Sequence, residues 1–230
     1  MSGPRESYGH LNPAAEDDGD ADGGEAAESA RRKHKQSLSL LMSAAVRSGD
    51  VAAVARYIAQ GADVNSVVPI APLYRDRGPY MYMAAGFGFH GVVEQLLDAG
   101  ADVNAEDDEG DRALCVVSEL GRLRVVLAML QFGVEIDARR IDGGKSALGL
   151  AISEGHEMIV ERLISAGADV NQYDNLGSAA LDDALERMAY NEWRSASPDE
   201  IAKNKRVMAR IKFAGGVAGP GDDDDDDIVF

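Results

Sequence analysis

The sequence predicts an all-α solenoid of about five stacked helix-turn-helix units, with loop tips between units and disordered termini. Three observations carry that prediction. The string Gly-Ala-Asp-Val-Asn occurs at 61–65, 100–104 and 167–171, and a weaker copy, Gly133-Val134-Glu135-Ile136-Asp137, lies between the last two. The leading glycines stand 39, 33 and 34 residues apart, a phased period in which one unit cannot bury its apolar face alone and stacking creates the core. Each string is also preceded by two short apolar segments separated by a glycine, and about half of the excess negative charge collects at the two ends of the chain.

The 230 residues hold 23 Lys+Arg against 40 Asp+Glu, a net charge of −17. Residues 1–30 contain eight acids and one base, Arg31, Arg32, Lys33 and Lys35 follow, and Asp222 to Asp227 form a run of six. These stretches carry almost no large apolar residues, so they cannot bury enough surface to offset the entropy of ordering. The expected organisation is a disordered acidic tail over 1–36 with a basic run at 31–35, a repeat domain over 37–218, and a disordered acidic tail over 219–230.

The acidity disfavours a nucleic-acid surface, which needs a basic footprint. No apolar run approaches the roughly 18 residues of a membrane span, and no apolar stretch follows the first charges as a secretory signal would require. A single cysteine, Cys115, leaves no intramolecular disulfide and no cysteine zinc site. The expectation is a soluble, monomeric, cytoplasmic chain. Arg31 to Lys35 reads either as a nuclear-import run or as a solubilising one.

The units follow in order. Unit one, about 38–65, has Ala44-Ala45, then Gly49-Asp50, then Val54 and Tyr57-Ile58 before Gly61. Unit two, 66–104, has Ala84-Ala85, Gly88, Val92-Val93 and Leu96-Leu97. Unit three, 105–137, has Ala113-Leu114, Gly121, Val125-Val126 and Met129-Leu130. Unit four, 138–171, runs Ser146 to Ala151, Gly155-His156, Ile159-Val160 and Leu163-Ile164. This spacing lines one face of a short helix. A glycine after the second helix suits the left-handed residue that closes it, and the Asp and Asn beyond can bond their own backbone in Asx turns.

Two units carry insertions. About six extra residues lengthen the loop between Ser66 and Pro79. In unit five, 172–217, a first helix over Ala180 to Met188 is followed by an inserted Ala189 to Arg194, with Trp193 expected to anchor that loop on the terminal helices. Ser197-Pro198-Asp199-Glu200 then starts a last helix with an N-cap, a proline at its first position and a capping box. Ile201, Met208, Ile211 and Phe213 mark that helix, and Lys203, Lys205, Arg206, Arg210 and Lys212 supply the polar outer face of a terminal repeat.

These strings and spacings resemble the ankyrin repeat, a turn and helix pair of about 33 residues whose signature includes Thr-Pro-Leu-His and a closing Gly-Ala-Asp-Val-Asn. The resemblance covers roughly residues 38–217. The closing motif matches; the opening one does not, reading Ser-Ala-Leu-Gly at 146–149, Arg-Ala-Leu-Cys at 112–115 and Pro-Tyr-Met-Tyr at 79–82. In the family those positions build a hydrogen-bonded turn, so their loss implies lower stability per unit and the same fold. The resemblance also marks Asn104 and Asn171, each eight residues after a leucine with Asp between, as candidates for asparaginyl hydroxylation.

A search for catalytic constellations returns little. His10 and His34 fall in the tail. His156, and His90 in the equivalent turn, read as structural, His156 bonding backbone as the family's histidine does there. Cys115 reads as a small packing residue. Gly86-Phe87-Gly88 lacks the strand, third glycine and Lys-Ser/Thr of a phosphate loop, and a flexible aspartate run has no preset geometry for a cation. No catalytic residue, cofactor or metal is expected.

Binding is the better candidate. Five of the aromatics (Tyr74, Tyr80, Tyr82, Phe87, Phe89) lie between 74 and 89, interleaved with Arg75 and Arg77, and Tyr and Arg are enriched in interface hot spots. Tyr82 and Phe89 are expected in the core; Tyr74, Arg75, Arg77 and Tyr80 at the surface; Phe87 exposed in the groove. The family's contact positions, carried over by the resemblance, include Leu120, and its loop tips include Arg139, Arg140 and Lys145. With Arg112 these bases would offer an acidic partner a second contact. The reading is a non-enzymatic module that binds a partner protein through a concave groove and loop tips. The alternative is an acidic inhibitor or regulatory subunit that masks a basic surface.

Overall fold

A computed structural model describes residues 21–69 and 77–218 of the chain. Two compact units divide it, 1–37 and 38–230. In the first, residues 21–37 begin helix α1 (Ala21–Ser48), and side chains 27–37 are all exposed. The disorder expected over 1–36 therefore does not hold for 21–36. Ala, Glu, Arg, Lys and Gln are strong helix formers, and Glu28 pairs with Arg32 one turn on, so a helix forms there although side chains 27–36 stay exposed. Residues 1–20 and 219–230 lie outside the described residues.

The second unit is a stack of helix pairs. The end of α1 pairs in sequence with α2 (Val51–Ala59). After a short ribbon of β1 (Val67–Pro69) and β2 (Arg77–Pro79) come α3 (Tyr80–Phe87) with α4 (His90–Asp98), α5 (Ala113–Glu119) with α6 (Leu123–Gln131), α7 (Ala147–Glu154) with α8 (Glu157–Ser165), and α9 (Ala180–Trp193) with α10 (Pro198–Phe213). The first helices pack α3 on α5 on α7 on α9, and the second helices α2 on α4 on α6 on α8 on α10, giving the two layers of the solenoid. Small residues (Ala84, Ala113, Ala147, Ala151, Ala184) let the first helices approach closely, while Leu96, Met129, Leu163 and Ile211 fill the space beneath the second layer.

Each of the first four turns between paired helices is a glycine at positive φ: Gly49, Gly88, Gly121 and Gly155, at +69° to +79°. That conformation is costly for any residue with a Cβ, and here the missing Cβ has a second use. Phe89 lies against Gly49, Arg122 against Gly88, His156 against Gly121 and Arg187 against Gly155, each side chain coming from the next unit. The pentapeptides are linked in the same way. Their last residue accepts a backbone N–H two residues past the glycine that opens the next loop: Asn65 from Asp102 at 2.9 Å, Asn104 from Glu135, Asp137 from Asp169 and Asn171 from Val217, each at 2.8 Å.

Two expected loops differ. The insertion before α3 forms the antiparallel β1–β2 ribbon, with Val67 opposite Pro79 and Pro69 opposite Arg77. Single bridges, Glu106 to Arg112 and Arg139 to Ser146, mark shorter versions in the next two units. In unit five, 189–193 form no loop. Ala-Tyr-Asn-Glu contains no helix breaker and no glycine turn, so α9 runs on to Trp193 and turns at Ser195, whose φ is +54°. The last helix begins as expected, with Ser197 and Glu200 forming a reciprocal capping box behind Pro198.

Candidate functional site

The residues singled out for binding divide sharply. Tyr74 and Arg75 lie outside the described residues, and Arg77 is placed only by its backbone in β2. Tyr80, expected at the surface, is fully buried: its hydroxyl donates to the Ser39 carbonyl at 2.8 Å and lies 2.9 Å from the Ser39 hydroxyl, which ties α3 to α1. Tyr82, expected in the core, is half-buried and donates to Asp107 at 2.9 Å; burial and that carboxylate push its phenol well above the usual range. Phe89 is half-buried, its ring 5.7 Å from that of Phe87. Phe87 is 48% exposed and Leu120 46%, and each stands immediately before the inter-helix glycine of its unit.

The basic residues of the tips are not free. Arg112 pairs with Glu106 at 2.7 Å and Glu135 at 3.3 Å. Arg140 pairs with Glu119 at 2.6 Å and lies 3.2 Å from both Asp111 and Asp142. Desolvation opposes its charge, yet the three carboxylates outweigh it and raise the guanidinium's pKa. Arg139 donates to the Gly144 carbonyl at 2.7 Å and to Asn175 at 3.0 Å. Lys145 bonds Asp183 and, at 3.0 Å, the Ser153 hydroxyl. Carboxylates of the chain itself thus pair with Arg112, Arg140 and Lys145, whereas the exposed Arg139 meets only neutral acceptors.

Among the described residues, His156, His90 and Cys115 each meet neighbouring groups of the stack. The His156 ring Nε2 lies 2.9 Å from the Glu119 carbonyl, as the resemblance implies, and His90 instead meets the Arg124 guanidinium at 3.4 Å. Cys115 is fully buried with its sulfur 3.4 Å from the Ala138 carbonyl, and burial pushes its thiol up to about 12, so no thiolate is available at neutral pH. Gly86-Phe87-Gly88 is the end of α3, where Gly88 supplies a left-handed cap. Among the described residues, no group of three or more His, Cys, Asp and Glu could hold a metal, and no helix is long and apolar enough to cross a membrane.

Two features escaped the sequence reading. Trp193, expected to pin a loop, is 81% exposed at the end of α9, 6.0 Å from the ring of Tyr190, which is itself 57% exposed. The spacing of Glu186, Tyr190 and Trp193 at i, i+4 and i+7 would have shown one aromatic face had 189–193 been read as helix. The chain of Asn and Asp bonds was signalled by the recurrence of that residue at the close of each string. Asn104 and Asn171, the hydroxylation candidates, are both members of it.

Stacked helix pairs, left-handed inter-helix glycines and a repeated closing string bonded to the next unit define an ankyrin-repeat solenoid. A sequence model described as "Ankyrin repeats (3 copies)" matches residues 41–140 and 80–174, more than half of the chain together, and the chain belongs to the ankyrin repeat family. It is similar to an ankyrin repeat protein of fowlpox virus, 29% identical over 153 residues, 65% of this chain and 43% of the relative. It is 40% identical over 86 residues to the ankyrin repeat and KH domain-containing protein mask-1 of Caenorhabditis elegans, 37% of this chain and 3% of that protein. To neurogenic locus notch homolog protein 1 of Mus musculus it is 30% identical over 131 residues, 56% of this chain and 5% of the relative. The chain thus spans less than half the length of these curated relatives. Ankyrin repeats are general protein-protein interaction modules.

Proposed function

We propose that the chain is a non-enzymatic protein-binding module that grips a partner segment along its first-helix layer, with Phe87 and Leu120 as adjacent apolar anchors. The observation that carries this reading is their exposure at equivalent positions of neighbouring units. Neither is needed for the core, and side chains of this size left in water at matched positions mark an interaction surface. The groups capable of catalysis support the reading by being committed elsewhere, His156 to a carbonyl and Cys115 to the interior.

The experiment is affinity purification with quantitative mass spectrometry on the full chain and a Phe87→Ala/Leu120→Ala variant. Partners recovered by the first and lost by the second, with native circular dichroism in both, support the groove. An unchanged partner set removes it. A second reading, an acidic subunit that masks a basic surface, is favoured by the internal pairing of Arg112, Arg140 and Lys145. It requires association that weakens steeply with salt, and an on-rate that falls when 219–230 is deleted.

A further inference from the structure

The extension of α9 carries a surface that the repeat stack does not use. α9 has 14 residues where α3, α5 and α7 have 8, 7 and 8. Its last turns present Tyr190 and Trp193, 57% and 81% exposed, with ring centroids 6.0 Å apart at a tilt of 34°. Glu186 lies one turn earlier on the same face. An aromatic pair of this size adds little to the fold from such a position, and its composition is that of an interface hot spot.

Charge selects the occupant. Arg194, whose guanidinium lies 5.7 Å from the Tyr190 ring centre, is committed to Glu200 at 2.6 Å and to Asn191 at 2.8 Å. Glu186, on the same face, is exposed and pairs with no cation among the described residues. Aromatic faces themselves attract ammonium and guanidinium groups. The surface therefore combines the Trp193 ring, the side of the Tyr190 ring that Arg194 does not cover, a carboxylate without a cation among the described residues, and a base already neutralised, within a chain of net charge −17.

We propose that the Tyr190–Trp193 face of α9 is a docking site for a cationic, apolar-anchored segment of a partner protein. An apolar side chain of the partner covers the two rings, and its Lys or Arg meets Glu186. The proposal rests on the reading of the chain as a protein-binding module but uses a different helix from Phe87 and Leu120, so the two can fail separately.

Trp193 is the only tryptophan and reports on its own site. The probe is a synthetic amphipathic peptide of Leu and Lys at helical spacing, dye-labelled for anisotropy, beside a counterpart with Glu for Lys. The expected result is a blue shift of Trp193 emission with the Lys peptide alone, weakening as salt rises from about 50 to about 300 mM. Tyr190→Ala should weaken binding about tenfold, Glu186→Gln should weaken it and flatten the salt dependence, and Phe87→Ala/Leu120→Ala should leave the shift intact. Binding by anisotropy without a Trp193 shift, or an equal shift with the Glu peptide, overturns the proposal. So does a shift abolished by Phe87→Ala/Leu120→Ala, which moves the site to the groove. A blue shift that grows with protein concentration alone makes a second copy the occupant, and overturns it too.

Discussion

Asn104 accepts the amide hydrogen of Glu135 at 2.8 Å, across the junction between the second and third units. Its own N–H donates to Asp102 Oδ1 at 2.9 Å, so the residue closes one loop and fastens the next. A repeat array is stabilised by unit and nearest-neighbour terms. A bond repeated at every junction is one such term, and it explains why the closing residue of each string is Asn or Asp: both place a carbonyl oxygen within reach of the next loop.

Asn104→Ala should accordingly lower stability by about 1 kcal/mol, because it leaves the Glu135 amide without its partner. For a chain of this size that is a fall of about 2–4 °C in midpoint. Asn104→Asp should cost much less at neutral pH, since Asp137 already performs the same function toward Asp169 at 2.8 Å. Urea unfolding followed by circular dichroism checks both. Equal losses from the two substitutions would show that the acceptor oxygen is not what matters.

Two left-handed glycines, Gly133 opening a loop between units and Gly155 turning between paired helices, separate backbone strain from crowding. Gly133 and Gly155 both have positive φ, +74° and +72°, but a Cβ on Gly133 would meet open space while one on Gly155 would strike the Arg187 guanidinium. Arg187 also donates to the Ser153 carbonyl at the end of α7, so displacing it uncovers that helix end. Gly133→Ala should cost about 1 kcal/mol, and Gly155→Ala more, with the difference falling when Arg187→Ala is added. Thermal unfolding of the four variants measures it, and additive effects of Gly155→Ala and Arg187→Ala would sink the account.

Most of the array was legible because its signals are local: an apolar face, a glycine that turns, an Asn that closes. The burial of Tyr80 and the ion pairs of Arg140 were not legible, for the opposite reason. Tyr80 is buried by Ser39, a residue 41 positions earlier, and Arg140 is neutralised by Asp111 and Glu119, which come from the preceding unit. Spacing does not reveal which carboxylate faces which base across a stack. The extension of α9 was missed because the family period predicts a turn near 188, whereas the residues there contain nothing to stop a helix.

Cys115 gives a sharp reactivity test. A thiol whose pKa is pushed up to about 12 by burial, with Asp111 acting in the same direction, holds a negligible thiolate fraction at pH 8. Native protein should react with a disulfide reagent only through transient opening of the array, and rapidly in urea. Prompt stoichiometric labelling of the native chain would contradict the packing of α5.

The Lys145–Asp183 pair makes stability depend on pH. Asp183 is 4% exposed, and its carboxylate lies close against Gly149, where no Cβ stands in the way. Desolvation raises its pKa, and the hydrogen bond and charge of Lys145 only partly offset that. A carboxyl whose folded value lies above its unfolded value of about 4 binds its proton more tightly in the folded chain. Its ionisation therefore counts against folding above the folded pKa, and the penalty fades as pH falls toward the unfolded value. Lys145→Met removes the compensating cation and should widen that window. Breaking a buried pair typically costs about 3–5 kcal/mol, and because the lysine side chain is 27% exposed a loss of about 2 kcal/mol is expected at neutral pH, shrinking toward pH ~4. Asp183→Asn in the same background should restore part of the loss and abolish its pH dependence. Urea midpoints at several pH values decide the matter: a loss from Lys145→Met that stays constant with pH would mean that Lys145 acts through packing and not through the charge of Asp183.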